Sequence, residues 1–427
     1  MSNQHESSVT RRDFVRTAAA ASIAATFPAS FNVFAQGSDT FKVGVIGCGG
    51  RGTGAALDCL KADPGVEIVA LGDLVPDRVE SSLARLTKEF PNRVKVPAGN
   101  RFTGFDNYKG VLSVPGVNLI LTAAPPGFRP VHVKAAVEAG KHVFMEKPVA
   151  VDPVGIRSIL ATADLAAQKK LALVAGTQRR HQQRYLEMMK RIQDGQIGEI
   201  VGAQVYWNQG DLWVKQREPN MTEIEWQCRN WLYFTWTSGD HIVEQHVHNI
   251  DVANWAMGVA PKNVMGMGGR QVRVGPEYGN IFDHFAVEFE YPNGVRVSSM
   301  CRQTKGCNDR VEERIVGTKG VAWSTSSATR ITGAVPWTFE AEEINPYVQE
   351  HIDMIASIRK GAPLNEGRQV AESTLCAIMG RMSAYTGRAL SWEWAMNTSK
   401  LDLSPAKYEF GPNPVDPAAV PGTTPLV

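Results

Sequence analysis

The segment Phe41-Lys42-Val43-Gly44-Val45-Ile46 is a short β-rich run that stops abruptly at Gly47-Cys48-Gly49-Gly50-Arg51-Gly52. This G-x-G-x-x-G turn leads into the helix-like stretch Ala55–Leu60. Strand, glycine turn and helix in that order leave few folds open. Gly47 permits a tight turn, Gly49 lets backbone approach a pyrophosphate, and Gly52 lets helix pack close to strand. The helix start then offers free N–H groups and a positive dipole end to phosphates. A flexible glycine loop would carry the same letters, so the context decides. A second buried-strand run, Val66–Leu71, ends at Asp73, 21 residues beyond Gly52. That is where an acid accepts hydrogen bonds from ribose hydroxyls in a dinucleotide site. A carboxylate there repels a 2′-phosphate and favours NAD over NADP. Gly47, Gly49, Gly50, Arg51, Gly52 and Asp73 are therefore candidate cofactor-binding residues.

The alternation continues. Val117–Thr122 reads as a strand, Pro130–Ala139 as a helix closed by Gly140, and His142–Met145 as the next strand, followed at once by Glu146-Lys147-Pro148. A helix over Val154–Lys169 and a strand over Leu171–Ala175 complete a pattern that predicts a doubly wound parallel sheet. Ligands of such sheets lie beyond the carboxyl ends of the strands, where Gly47, Asp73, Pro125, Lys147 and Gln178 fall. With 427 residues, one core is too few, and two lobes are expected over 40–177 and 178–400, with a tail over 401–427. The second lobe carries the strand-like runs Gln204–Trp207, Phe285–Glu290 and Val295–Val297, with Pro292-Asn293-Gly294 as a hairpin turn. A net charge of +2 gives no broad attraction to nucleic acid or anionic membranes, which leaves a small molecule as the expected partner.

Residues 1–35 read as an export signal. Arg11-Arg12-Asp13-Phe14 precedes an Ala-rich apolar run from Thr17 to Phe34, and small residues follow at a plausible cleavage site. The paired arginines resemble the twin-arginine class, which exports folded proteins, and point to the periplasm. An uncleaved membrane helix is the other reading, disfavoured by the shortness of the run and by Pro28. The six cysteines form no CxxC pair and suggest neither zinc nor redox chemistry.

The run Ala139–Pro148, ending Met145-Glu146-Lys147-Pro148, resembles the glucose–fructose oxidoreductase and inositol dehydrogenase family (Gfo/Idh/MocA). Glu244-Gln245-His246-Val247-His248-Asn249-Ile250-Asp251 is similar to that family's D-x-x-x-H-x-x-D stretch, and Ser383–Arg388 to its C-terminal helix ending. The resemblance implies a Rossmann domain followed by an α+β domain with an open, largely antiparallel sheet. It further implies subunit contacts through that sheet, hence a homo-oligomer, and a reaction between the two domains. Two departures stand out. Glu244 replaces the usual Asp, and the loop after Pro125-Pro126 reads Gly127-Phe128-Arg129, where a His is common, with His132 a turn later.

Oxidation of a carbinol requires removal of the hydroxyl proton, work suited to a neutral imidazole, while a cation stabilises the developing alkoxide. His248 is the expected base and Lys147 its electrostatic partner, with Glu244 binding a hydroxyl or orienting the His. If Val243–Met257 is one helix, Glu244, His248 and Asp251 share a stripe at i, i+4 and i+7. Pro125, Glu146 and Lys147 are expected beside the cofactor, and Arg180, Trp231, His246 and Asp251 beside the substrate. Residues two apart on a helix diverge by about 200°, so His246 and His248 do not chelate one ion, and no metal is expected. Trp207, Trp213, Trp226, Trp231 and Trp236 crowd into 30 residues, either to stack on sugar faces or to pack a core or interface. Arg179, Arg180 and Tyr185 stand either at the ligands or on an ordinary surface. The Pro-rich tail after Ser404 either wraps a neighbouring subunit or is disordered.

Export carries a mechanistic expectation. Little free NAD(H) exists outside the cytoplasm, so the cofactor would travel tightly bound and be restored within each cycle. That fits coupled sugar oxidation and reduction, or a redox-neutral glycoside cleavage by transient oxidation and elimination.

Overall fold

The structure, a computed structural model, describes residues 40–427, and the expected signal at 1–35 lies outside them. The first sheet contains β1 (Phe41–Ile46), β2 (Val66–Asp73), β3 (Arg101–Thr103), β4 (Leu119–Thr122), β5 (His142–Met145) and β6 (Leu173–Ala175). All its pairings are parallel, in the order β3-β2-β1-β4-β5-β6. Period-two alternation divides the strand residues between two apolar layers. Val43, Val45, Leu119, Leu121 and Phe144 pack with Leu57 and Leu60 of the helix Gly50–Ala62. Ile46, Ile120, Val143 and Met145 pack with Val133 and Ile156 of the helices Arg129–Glu138 and Pro153–Gln168. Both faces are covered, as a parallel sheet requires. β3 was absent from the sequence reading, since its three residues carry no periodicity.

The second sheet has nine strands: β7 (Ile200–Gln209), β8 (Asn263–Gly269), β9 (His284–Glu290), β10 (Arg296–Gln303), β11 (Arg310–Gly317), β12 (Gly320–Ser324), β13 (Thr329–Gly333), β14 (Trp337–Thr338) and β15 (Leu390–Ser391). Their order is β14-β13-β12-β11-β7-β10-β9-β8-β15, antiparallel except where β7 meets β10. One register row, Val264, Phe289, Val297, Ala203, Ile315, Ala322 and Ile331, is buried across seven strands. The helices Val247–Met257 and Gly367–Thr386 share the apolar layer of that row. The other face leaves Met265, Met267 and Met300 exposed. The fold is thus α/β, a Rossmann sheet followed by an open, largely antiparallel one.

Three local features depart from expectation or complete it. The helix expected over Val243–Met257 is two helices, His241–Glu244 and Val247–Met257. The break falls at Gln245–His246, where His246 N–H bonds back to His241 and the ladder shifts by a residue. The helix Pro346–Arg359 returns to the first sheet and packs Met354 and Ile355 into its layer. The tail lies along its own chain: Leu403 N–H donates to Asp152, Gly411 accepts from Ile224, and Asn413 bonds Glu223 and Gln227. All six cysteines are free thiols, and only Cys307 is exposed.

Candidate active site

The glycine turn has the shape its letters imply. Gly47 takes φ +91°, a left-handed conformation natural to glycine. A Cβ on Gly52 would collide with the Gly47 carbonyl, whereas Gly50 has nothing within 4 Å. Gly49 and Gly50 therefore border open space at the helix start, a cradle with room for phosphate oxygens. Asp73 is buried at the end of β2. Its Oδ2 accepts from Cys48 N–H at 2.7 Å and its Oδ1 from Val75 N–H at 3.2 Å. Burial pushes its carboxyl up, against the pull of Arg78 and of those N–H groups.

Two cavities meet at Ala124. One, about 470 Å³, is lined by Gly47, Asp73, Arg78, Pro125, Phe128 and Arg229. The other, about 830 Å³, is lined by Glu146, Lys147, Gln178, Trp231, Glu244 and His248 among others. They suit the two ends of a dinucleotide whose pyrophosphate rests on the glycine cradle, so the residues present fit that cofactor. The Asp73-side cavity takes part of its wall from the second lobe. Cys228 and Arg229 of the helix Glu223–Arg229 line it, and Arg229 makes two hydrogen bonds to Asp77 of the first lobe. Tyr408 of the tail packs on Phe128 and Phe105, with ring centroids 5.5 and 6.3 Å away. His132 lines this cavity too, stacked against Phe128. Gly127 abuts the Trp236 backbone, and a Cβ there would collide with that carbonyl. No side chain fits at this position of the loop after Pro125-Pro126.

In the larger cavity, Lys147 follows β5 and Glu244 and His248 come from the second lobe. Lys147 Nζ donates to the Glu244 carbonyl at 2.7 Å and lies 3.6 Å from Glu244 Oε1. Glu244 Oε2 is buried without a partner among the described residues, as is Gln178 Oε1. His248 stacks on Trp207 at 5.7 Å. Burial first, then the charges of Lys147, Arg179 and Arg51, hold its imidazole well below the ordinary range, so it is neutral and able to accept a proton. Lys147, Glu244 and His248 thus line one cavity, as the resemblance implies, despite the helix break.

Arg51 lines the larger cavity too, where its guanidinium bonds Glu146, Asp58 and Glu350 and sits 4.7 Å from the Tyr347 ring centroid. Burial opposes its charge, but Glu146 and Glu350 outweigh that and raise its pKa. Glu146 in turn presents its carboxylate to Arg51 and packs against Gly176. Both expected cofactor contacts thus lie on the cleft wall beside Lys147, paired with each other.

Three expected substrate contacts fall outside the cleft. Arg180 pairs bidentately with Asp251, and Asp251 also accepts from Ser373 at 2.7 Å. Asp251, three residues after His248 on the helix Val247–Met257, faces Arg180, and Ser373 of the helix Gly367–Thr386, instead. His246, at the break, is buried with Nε2 2.7 Å from Ser299 Oγ. Trp231 does line the cleft. Arg179 and Tyr185 are buried with Glu313 rather than at either cavity. Sequence reasoning missed Tyr347 and Gln245, which line the cleft, and Glu350 behind it. Tyr347 and Glu350 arrive 200 residues after Lys147 on a helix whose only local signal is its Asn345-Pro346 start. Among the described residues, no group of three His, Cys, Asp or Glu side chains is arranged to hold a metal ion.

Residues 41–177 match the oxidoreductase family with an NAD-binding Rossmann fold, and residues 185–323 match the GFO/IDH/MocA C-terminal domain. The chain belongs to the Gfo/Idh/MocA oxidoreductase family. It is similar to the inositol 2-dehydrogenase/D-chiro-inositol 3-dehydrogenase of Lactiplantibacillus plantarum, 25% identical over 60% of this chain and 63% of that one. It is also similar to a glycosyl hydrolase family 109 protein of Streptomyces coelicolor, 29% identical over 38% of this chain and 33% of that one. The matched stretches therefore span less than two thirds of these curated relatives. The aldose-aldose oxidoreductase of Caulobacter crescentus shares the fold, with a TM-score of 0.65 and 18% identity over 82% of this chain and 99% of that one.

Proposed function

We propose that this chain is an exported, NAD-dependent oxidoreductase acting on a CH–OH group of a sugar, polyol or glycoside, with a cofactor that is retained and recycled. The observation that carries the reading is the meeting of Lys147 and His248, from two lobes, in one cleft beside an open glycine cradle. When bound, a nicotinamide would exchange hydride with the carbinol carbon. The chain's own groups supply the rest. His248, held neutral, takes the hydroxyl proton, and the Lys147 ammonium stabilises the alkoxide that forms. Glu244 Oε2 and Gln178 Oε1 are buried acceptors awaiting donors, which sugar hydroxyls provide.

Asp73 at the end of β2 supports NAD over NADP, since its carboxylate repels a 2′-phosphate. The Arg229–Asp77 bonds at the Asp73-side cavity, and the packing of Tyr408 on its lining rings Phe105 and Phe128, support retention. The twin-arginine pattern supports export to the periplasm, and the exposed Met265, Met267 and Met300 support a homo-oligomer joined through the second sheet. No helix of the described residues is long and apolar enough to cross a membrane.

The test is to denature the purified protein, identify the released dinucleotide, and screen sugars for a change in its reduction state in the intact protein. One NAD(H) per chain, reduced by a sugar, is expected. Absence of dinucleotide, or a bound one that no sugar or polyol alters, would overturn the reading. Similarity to a glycosyl hydrolase family 109 protein favours a second reading, redox-neutral glycoside cleavage. Release of an aglycone with no net change in the dinucleotide distinguishes it.

A further inference from the structure

Five tryptophans lie between Trp207 and Trp236, and the structure separates them by what their ring nitrogens do. Trp207, Trp226 and Trp236 donate their indole N–H groups to Gln209, the Lys215 carbonyl and Gln227, at 2.7–2.8 Å. Trp213 and Trp231 make no such bond among the described residues. Trp231 lines the cleft that holds Lys147 and His248. Trp213 stands next to it, ring centroids 6.4 Å apart at 60°, and is 43% exposed, the only exposed tryptophan of the ten.

An exposed indole on a loose loop would mean little. This loop is fixed. Tyr233 Oη donates to the carbonyls of Trp213 and Leu212 at 2.9 and 3.3 Å. Lys215 N–H donates to Asn230 Oδ1 at 2.8 Å, and Trp226 holds the Lys215 carbonyl. Three buried or half-buried side chains thus set the backbone of residues 212–215 while the Trp213 ring is left in solvent. The Trp213 ring is held edge-on against Trp231 and Tyr233, 43% exposed and with its indole N–H unbonded among the described residues, which leaves an amphipathic ring available to a ligand. It adjoins Trp231, so the two rings extend the aromatic surface of the cleft.

We propose that Trp231 and Trp213 are consecutive platforms, Trp231 for the sugar that meets Lys147 and His248 and Trp213 for a second ring linked to it. The substrate class is then a disaccharide-sized glycoside rather than a free monosaccharide or inositol. This assignment rests on the sugar oxidoreductase reading above. Ring stacking of this kind strengthens binding by about tenfold.

The experiment measures reduction of the bound dinucleotide by paired probes, glucose against cellobiose and maltose, and galactose against lactose. Wild type, Trp213→Ala, Trp213→Tyr and Trp231→Ala are compared. For the preferred disaccharide, Trp213→Ala should raise KM about tenfold, to near that of the matching monosaccharide, with kcat and the monosaccharide KM unchanged. Trp213→Tyr should restore most of the loss, and Trp231→Ala should weaken both members of the pair. Equal effects of Trp213→Ala on both members, no effect on either, or a change confined to oligomeric state would overturn the second platform. Reduction by none of the probes in wild type would remove the sugar reading itself, and the platform with it.

Discussion

The Lys147 ammonium donates a 2.7 Å hydrogen bond to the backbone carbonyl of Glu244, a residue 97 positions away in the other lobe. The Lys147 ammonium is therefore oriented by the same short helix that delivers a carboxylate to the cleft. Replacing Lys147 by Ala should lower kcat by about 10²–10⁴-fold, the usual weight of a proton-transfer or alkoxide-stabilising group. Its dinucleotide content, read by absorbance after denaturation, should stay at the wild-type level.

His248 is kept neutral by burial and by neighbouring cations. A group whose pKa lies well below its ordinary 6.5 remains a competent base on acidification. The kcat profile should therefore run level from pH 7 to pH 5, where a free imidazole would lose half its activity near 6.5. An acid limb centred at 6.5, removed by His248→Gln, would contradict this assignment.

His181 behaves in the opposite sense. Burial lowers it, but Asp353 at 2.7 Å and Glu366 at 3.2 Å outweigh that and raise it to about 10. A raised histidine contributes stability fully below its unfolded value of about 6.5, and loses it as pH climbs toward 10. Urea unfolding at pH 6, 8 and 10 should show the gap between wild type and His181→Gln narrowing with each step.

Gly127 leaves no room for a side chain, because the Trp236 backbone rather than a movable group stands in the way. Gly127→Ala should cost about 1–3 kcal/mol in urea unfolding, as overpacking does elsewhere. It should also loosen the loop that joins the two cavities.

Tyr408 carries the tail across Phe105 and Phe128. Tyr408→Ala should leave the fold intact while the bound dinucleotide is lost on gel filtration, and added NAD should restore activity. Equal retention by variant and wild type would mean that the tail does not govern exchange.

Much of this was legible in the letters because it is local. The Gly47–Gly52 turn, the strand ending at Asp73 and the Lys147 strand end each announce themselves within a few residues. The pairing of Lys147 with Glu244 and His248 was readable only through resemblance, since no spacing links residues a hundred positions apart. Asp251 faces away from the cleft because Arg180 and Ser373 hold its carboxylate, partners that no local spacing announces. His246 was misread for the same reason, its ring turning into the second sheet at Ser299. Arg51 and Glu146 do line the cleft, but their pairing with each other and with Glu350 carried no local signal. Their partner Glu350 sits on a helix whose sequence gives no sign that it returns to the first sheet.

The strap formed by residues 403–413 also bears on the order of events during synthesis. Everything needed to grip a nucleotide, from the glycine turn to the helix Glu223–Arg229, leaves the ribosome before this segment does. The rings Phe105 and Phe128 are thus made long before the Tyr408 that packs on them. Until then, that side of the cavity wall stands without its aromatic partner.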